Sequence, residues 1–96
     1  MKTFDPQIAK KILQLWTSKL GMKHIIINKY DCYEYRGEYY RLDTFYENDG
    51  ELLYCIEWAK SYDDAKKNFF EDAFLYSEKL GINKIISEMQ DDLTNA

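Results

Sequence analysis

Few residues in this chain have the type and spacing that chemistry needs. His24 is the one histidine, and no serine or cysteine sits in a nucleophile context such as G-x-S-x-G. A general base needs a positioned partner, so a lone histidine reads as structural or solvent-exposed. Cys32 and Cys55 form no CxxC and, with a single histidine, are too few for a zinc site. Three acidic pairs occur, Asp63-Asp64, Glu71-Asp72 and Asp91-Asp92, but calcium-loop spacing is absent. Adjacent residues on a helix diverge by about 100°, so such pairs do not converge on an ion by themselves. Neither a P-loop nor a G-x-G-x-x-G is present. The expectation is a protein that is not an enzyme and takes no metal or cofactor.

What the sequence does concentrate is half-polar rings. Residues 30–46, YDCYEYRGEYYRLDTFY, hold six tyrosines and a phenylalanine with charges between them. The net charge of −4 is unevenly spread. Residues 1–29 carry six lysines against Asp5, whereas residues 30–57 carry eight acids against Arg36 and Arg41. The tyrosine-rich segment is therefore also the most acidic. That sign disfavours nucleic acid and favours a basic partner. Four dispersed lysines on the first helix and after it, Lys10, Lys11, Lys19 and Lys23, are a weak nucleic-acid signal.

The elements that must carry these side chains can be read from periodicity. With 96 residues, the chain is one domain, residues 1–96. It has no run of 18 apolar residues and no apolar signal core in MKTFDPQIAKK, so a cytoplasmic protein is expected, with no membrane role. Asp5 and Pro6 suit a helix start and Gly21 its exit, with Ile8, Ile12, Trp16 and Leu20 on one stripe. Three stretches then alternate with period two: HIIINKYDCYEY, EYYRLDTFYE and ELLYCIEWA. A two-residue turn at Arg36-Gly37 sets Tyr33 opposite Tyr40. A three-residue loop, Asn48-Asp49-Gly50, with Gly50 left-handed, pairs Tyr46 with Leu52 and Leu42 with Ile56. Ser61 with Asp64 resembles a capping box opening a helix in which Ala65, Phe69, Ala73, Tyr76 and Leu80 recur, with Asn68 and the run Phe69-Phe70-Glu71-Asp72 as its weak point. A last helix carries Ile82, Ile85, Ile86, Met89 and Leu93. The expected fold is α+β: an N-terminal helix, a three-stranded antiparallel β-meander and two C-terminal helices packed on one sheet face.

This register divides the rings. Ile25, Ile27, Tyr33, Tyr35, Tyr40 and Tyr46 fall on the helix-covered face, where tyrosine supplies ring area and keeps its hydroxyl near water. Cys32, Glu34, Tyr39, Arg41, Asp43, Phe45, Leu53, Cys55 and Glu57 fall on the other. The cysteines then lie two strands apart, about 9–10 Å, beyond the ~7 Å that a disulfide tolerates. Polar residues normally face outward on a one-sided sheet. Tyr39 and Phe45 among Glu34, Asp43 and Glu57 instead resemble an interface, with rings as anchors and acids steering the encounter.

The run LLYCIEWAKSYDDAKKNFFEDAFLYS, residues 52–77, with IISEMQDDL, residues 85–93, resembles small immunity proteins of bacterial polymorphic toxin systems. The residues that carry the resemblance are Ile56, Glu57, Ala59, Ala65, Asn68, Phe70, Glu71, Asp72 and Tyr76. The resemblance implies a cytoplasmic, non-enzymatic protein that binds and neutralises a cognate toxin, with nucleases of basic active site among the candidates. It also implies that Phe70, Glu71 and Asp72 form a loop at the contact surface. The expected partner-binding set is thus Glu34, Tyr39, Asp43, Phe45, Glu57, Glu71 and Asp72. Two alternatives stay open: a homodimer buried through the same face, and a single-stranded RNA-binding module, which the acidic charge opposes.

Overall fold

The computed structural model describes residues 6–95. The order is α1 (Pro6–Ser18), β1 (Lys23–Ile27), β2 (Tyr30–Tyr35), β3 (Glu38–Tyr46), β4 (Leu52–Ala59), α2 (Tyr62–Lys66), β5 (Glu71–Ser77) and α3 (Ile82–Asn95), with a 3-10 turn, Glu78–Leu80, before α3. The strands form one antiparallel meander in sequence order. The α+β class holds, but the sheet has five strands where three were expected.

The two extra strands have separate causes. HIIINKYDCYEY is a hairpin and not one strand, because Asn28 and Lys29 both adopt positive φ, 53° and 72°. Two consecutive left-handed residues make the tight turn whose twist matches paired strands. Ile25 then faces Cys32 and Ile27 faces Tyr30. This moves Ile25 and Ile27 to the face opposite Tyr33 and Tyr35, which corrects their expected placement. The second cause lies after α2. Ser61 caps that helix, accepting from the Asp64 amide at 3.2 Å, but five residues later the helix ends. Asn68 at φ 63° turns the chain, and residues 71–77 run as a strand beside β4. Phe74 and Tyr76 follow period two, whereas the helical spacing read there runs through Ala73, Tyr76 and Leu80.

Turn chemistry is otherwise as expected. Arg36 and Gly37 take φ of 54° and 82°, and Tyr33 faces Tyr40. Gly50 is left-handed at 86°, with Tyr46 opposite Leu52 and Leu42 opposite Ile56.

Helices cover parts of both sheet faces, where the C-terminal helices were expected on one. Helices α1 and α3 share one sheet face, which we call the inner face, while α2 lies on the other. The inner core joins Ile12, Leu15 and Trp16 of α1 and Ile85, Met89 and Leu93 of α3 to Tyr33, Tyr40, Tyr54, Ile56 and Tyr76 of the sheet. Trp16 meets Tyr33 edge-on at 5.6 Å. Each such side chain, fully buried, contributes about 1.5–3 kcal/mol relative to exposure. The C-terminus of α3 is fastened to the sheet by Arg36, whose guanidinium donates to the Thr94 carbonyl at 3.1 Å and lies over the Tyr35 ring. A cation there also favours the negative end of the helix dipole. The Asp5 cap of α1 lies outside the described residues.

Tyr76 donates to Asp92 Oδ2 at 2.6 Å, tying β5 to α3. Burial, and then the hydrogen bond to Asp92, push its phenol well above the ordinary range; burial and then Glu38 push Tyr40 up to about 12. An unfolded tyrosine ionises near pH ~10 while these stay protonated in the fold. The native state then binds more protons, so stability is full below about pH 10 and falls as pH rises above it. Urea midpoints should therefore drop between about pH 9 and about pH 11, and the drop should shrink in Tyr76→Phe. Equal midpoints at both values would contradict this packing.

Candidate binding face and the cleft at Arg41

The uncovered part of the outer face is built in three rows by the pairing of β3, β4 and β5. Arg41 stands opposite Glu57, and Glu57 opposite Asp72. Asp43 stands opposite Cys55, and Cys55 opposite Leu75. Phe45 stands opposite Leu53, and Leu53 opposite Ser77. A bulge at Ile56/Glu57, which skips Ala73, returns Asp72 to this face. The result is a charged row, a mixed row and a largely apolar row. Leu75 is 54% exposed, Phe45 and Leu53 are half-buried, and Cys55 is buried beneath them.

Burial pushes the Cys55 thiol up to about 12, and the carboxylates of Asp72, Glu57 and Asp43 add to it. Burial likewise raises the Cys32 thiol. Both thiols are free, as expected, and burial works against the thiolate that a nucleophile needs. Among the described residues no three His, Cys, Asp or Glu side chains gather as a metal site. His24 pairs with Asp31 Oδ1 at 2.8 Å and stacks on Tyr33, at the inner-face margin.

The remaining outer face is covered by α2. Ala65 packs on Ile27, Cys32 and Ala59, with Ile25, Tyr39 and Phe70 around them. Tyr39 meets Tyr62 edge-on at 6.0 Å. Its ring therefore packs beneath α2 and is not an anchor on the open face, contrary to expectation.

At the boundary between the covered and open halves stands Arg41. Its Nε donates to Glu57 Oε1 at 3.1 Å, and its Nη1 donates to Asn68 Oδ1 at 2.9 Å. Its guanidinium lies 3.6 Å from the centroid of Phe70 and 5.5 Å from that of Tyr30. Five parts of the chain thus meet on one side chain: β2, β3, β4, the turn after α2 and the approach to β5. Glu57 and Arg41 are only 19% and 16% exposed. Burial raises the Glu57 carboxyl despite the opposing pull of Arg41. Beside this contact opens a cleft of about 370 Å³, lined by Tyr30, Asp31, Arg41, Asp43, Glu57 and Asn68.

Of the expected partner-binding set, Asp43, Phe45, Glu57 and Asp72 come together on the open face. Glu34 pairs with Lys23 and Tyr39 at the far end of the sheet. Glu71 opens β5 opposite Trp58 and borders a separate hollow with Phe69, which is 64% exposed. Phe70, Glu71 and Asp72 do not form one loop, since β5 begins at Glu71. Sequence reasoning missed Leu75, Tyr30 and Asp31, and had Asn68 as a helix break and a residue of the resemblance but not as a partner of Arg41. A strand reading of Phe74 and Tyr76 places Leu75 outward, and a turn at Asn28-Lys29 places Tyr30 beside Arg41.

Comparison with protein-family models, curated proteins and solved structures finds no match in any of the three.

Replacing Arg41 by alanine strands the Glu57 carboxylate in a mostly buried place. Loss of one partner of such a pair should cost about 2–3 kcal/mol, allowing for its partial exposure. Arg41→Lys keeps the charge but loses the planar stack and the forked donors, so it should restore less than half. Adding Glu57→Gln to Arg41→Ala should recover part of the loss. Chemical denaturation measures all three; an Arg41→Ala change within about 0.5 kcal/mol, the surface-site range, would contradict the role given to this contact.

Proposed function

We propose that this chain is a non-enzymatic binding protein of the immunity class, which holds and neutralises a basic toxin through the open outer face of its sheet. The observation that supports it best is the striped composition of that face. Phe45, Leu53 and Leu75 offer apolar contact, and Asp43, Glu57 and Asp72 border it with negative charge. Arg41 is the cation within these rows, and it is already committed to Glu57, Asn68 and Phe70. A basic partner therefore meets a field that steers it in and an apolar strip that holds it. The acidic stretch of residues 30–57 favours such a partner over RNA. A homodimer through the same face would set one acidic row against its copy, and like charges brought together cost affinity.

The adjacent upstream reading frame is the place to look for the partner. Co-expressing its product with this chain should yield a stoichiometric complex and restore growth that the product alone suppresses. Raising salt from about 50 to about 500 mM should slow association at least ~10-fold. Leu75→Lys should weaken the complex by about tenfold or more, by removing an apolar contact and adding repulsion. A toxic neighbour that this chain neither binds nor neutralises would overturn the proposal, and so would indifference to Leu75→Lys.

A further inference from the structure

β3 is nine residues long, yet β2 pairs only with Glu38, Tyr39 and Tyr40. Beyond Tyr40 it keeps β4 on one side. On the other side, among the described residues, no strand pairs with residues 41–46. This unpaired length lies inside a fork and not at the margin of the sheet. The β1–β2 hairpin leans onto α2, through Ile27 and Cys32 against Ala65 and through the Asn28 side-chain amide donating to the Lys66 carbonyl. The cleft of about 370 Å³ is the space the hairpin leaves as it departs from β3.

The backbone in this fork is oriented for pairing. A two-residue turn at Arg36-Gly37 makes Tyr35 with Glu38, and Tyr33 with Tyr40, the pairs that exchange hydrogen bonds. By strict alternation Arg41, Asp43 and Phe45 direct their backbone groups to β4, while Leu42, Thr44 and Tyr46 direct theirs into the fork. The Thr44 amide donates instead to the Asp43 side chain, at 2.8 Å. Asp31, next after Tyr33, presents its backbone from the opposite wall.

The outermost strands carry devices that discourage pairing. β1 begins with Lys23, and β5 begins with Glu71 and Asp72 and contains the bulge. Residues 42–46 carry no lysine, no proline and no bulge. We infer that this length of β3 is a strand-addition site, which takes an extended, lysine- or arginine-bearing segment of the partner protein as a new strand within the fork. The inference rests on the binding-protein reading above and adds the mode of contact. Its occupant is fixed by charge. Asp31, Asp43 and Glu57 border the fork, and its cation, Arg41, is engaged with Glu57 and Asn68, which leaves the carboxylates of Asp31 and Asp43 in excess. An added strand would set alternate side chains about 4.5–5.5 Å from Asp43 and Phe45 on the outer face. A cation beside the Asp43 carboxylate and a second one over the Phe45 ring fit that pair. A second copy of this chain would bring Asp43 and Asp31 against their own kind.

The probe is a blocked hexapeptide of alternating lysine and valine, added to the full chain labelled with nitrogen-15. Binding should slow amide exchange at Thr44 and Tyr46 by about tenfold or more. The same peptide with glutamate for lysine, or with N-methyl groups on alternate amides, should leave both unchanged. Thr44→Pro should abolish the response while leaving the resonances of Leu53 and Leu75 in place, since proline is tolerated where the amide faces away from the ladder. Asp43→Lys is the second variant, and should reverse the preference from the lysine to the glutamate peptide. A response confined to Leu53 and Leu75 would overturn strand addition and keep the open face as the binding surface. Equal effects from the N-methylated peptide, or no response anywhere, would also overturn it. The co-expression experiment would still judge the binding-protein reading.

Discussion

The contact that most of the outer face depends on is the one Arg41 makes. A guanidinium is planar, permanently charged and forked, so it can stack on a ring while donating in its own plane. Here it stacks over Phe70 and donates to Glu57 and Asn68. Asn68 is the left-handed residue at which the chain leaves α2 and turns toward β5. Arg41 therefore holds the turn that converts a helix into a fifth strand, and holds it against the middle of the sheet. It also leaves Glu57 charged in a place where burial alone would favour the neutral acid.

From that contact the two sides of the outer face take different roles. Toward β1 and β2, α2 closes a small cluster of Ile27, Cys32, Ala59 and Ala65. Toward β5 nothing among the described residues covers Leu75, and acids of three strands, Asp43, Glu57 and Asp72, border the apolar residues on one side. The hairpin drawn toward α2 cannot also stay beside β3 along its whole length. The open face and the fork are thus two outcomes of one arrangement. The tyrosines that dominate the sequence are mostly absorbed elsewhere: Tyr33, Tyr40, Tyr54 and Tyr76 are in the inner core, and Tyr39 is under α2.

Much of this was legible in the residues, and the failures have physical causes. The register of β3 against its neighbours followed from two turns and one apolar set on each strand. That agreement left little freedom, because a slip of one residue turns the whole set outward. The stripes of α1 and α3 were legible for the same reason, each having a single buried side. Asn28-Lys29 was missed because lysine is a poor residue for positive φ, and packing of the hairpin on α2 overrides its preference. Residues 71–77 were misread because Tyr76 fits both a helical stripe with Ala73 and Leu80 and a strand alternation with Phe74, and tertiary pairing decides between them. Asp43, Phe45 and Glu57 share the open face by parity alone, whereas Asp72, expected from the resemblance, reaches it only through the bulge. Leu75 was lost with the strand that carries it.

Amide exchange in the free protein tests the central claim, that β3 is paired on one side only beyond Tyr40. Asp43 and Phe45, bonded to β4, should exchange at least about 100-fold more slowly than Tyr46, whose amide faces the fork. Thr44 should approach the fast class once Asp43 is replaced by alanine, which has no side-chain acceptor. Uniform protection from residue 42 to residue 46 would mean that the fork is closed, and would contradict the account.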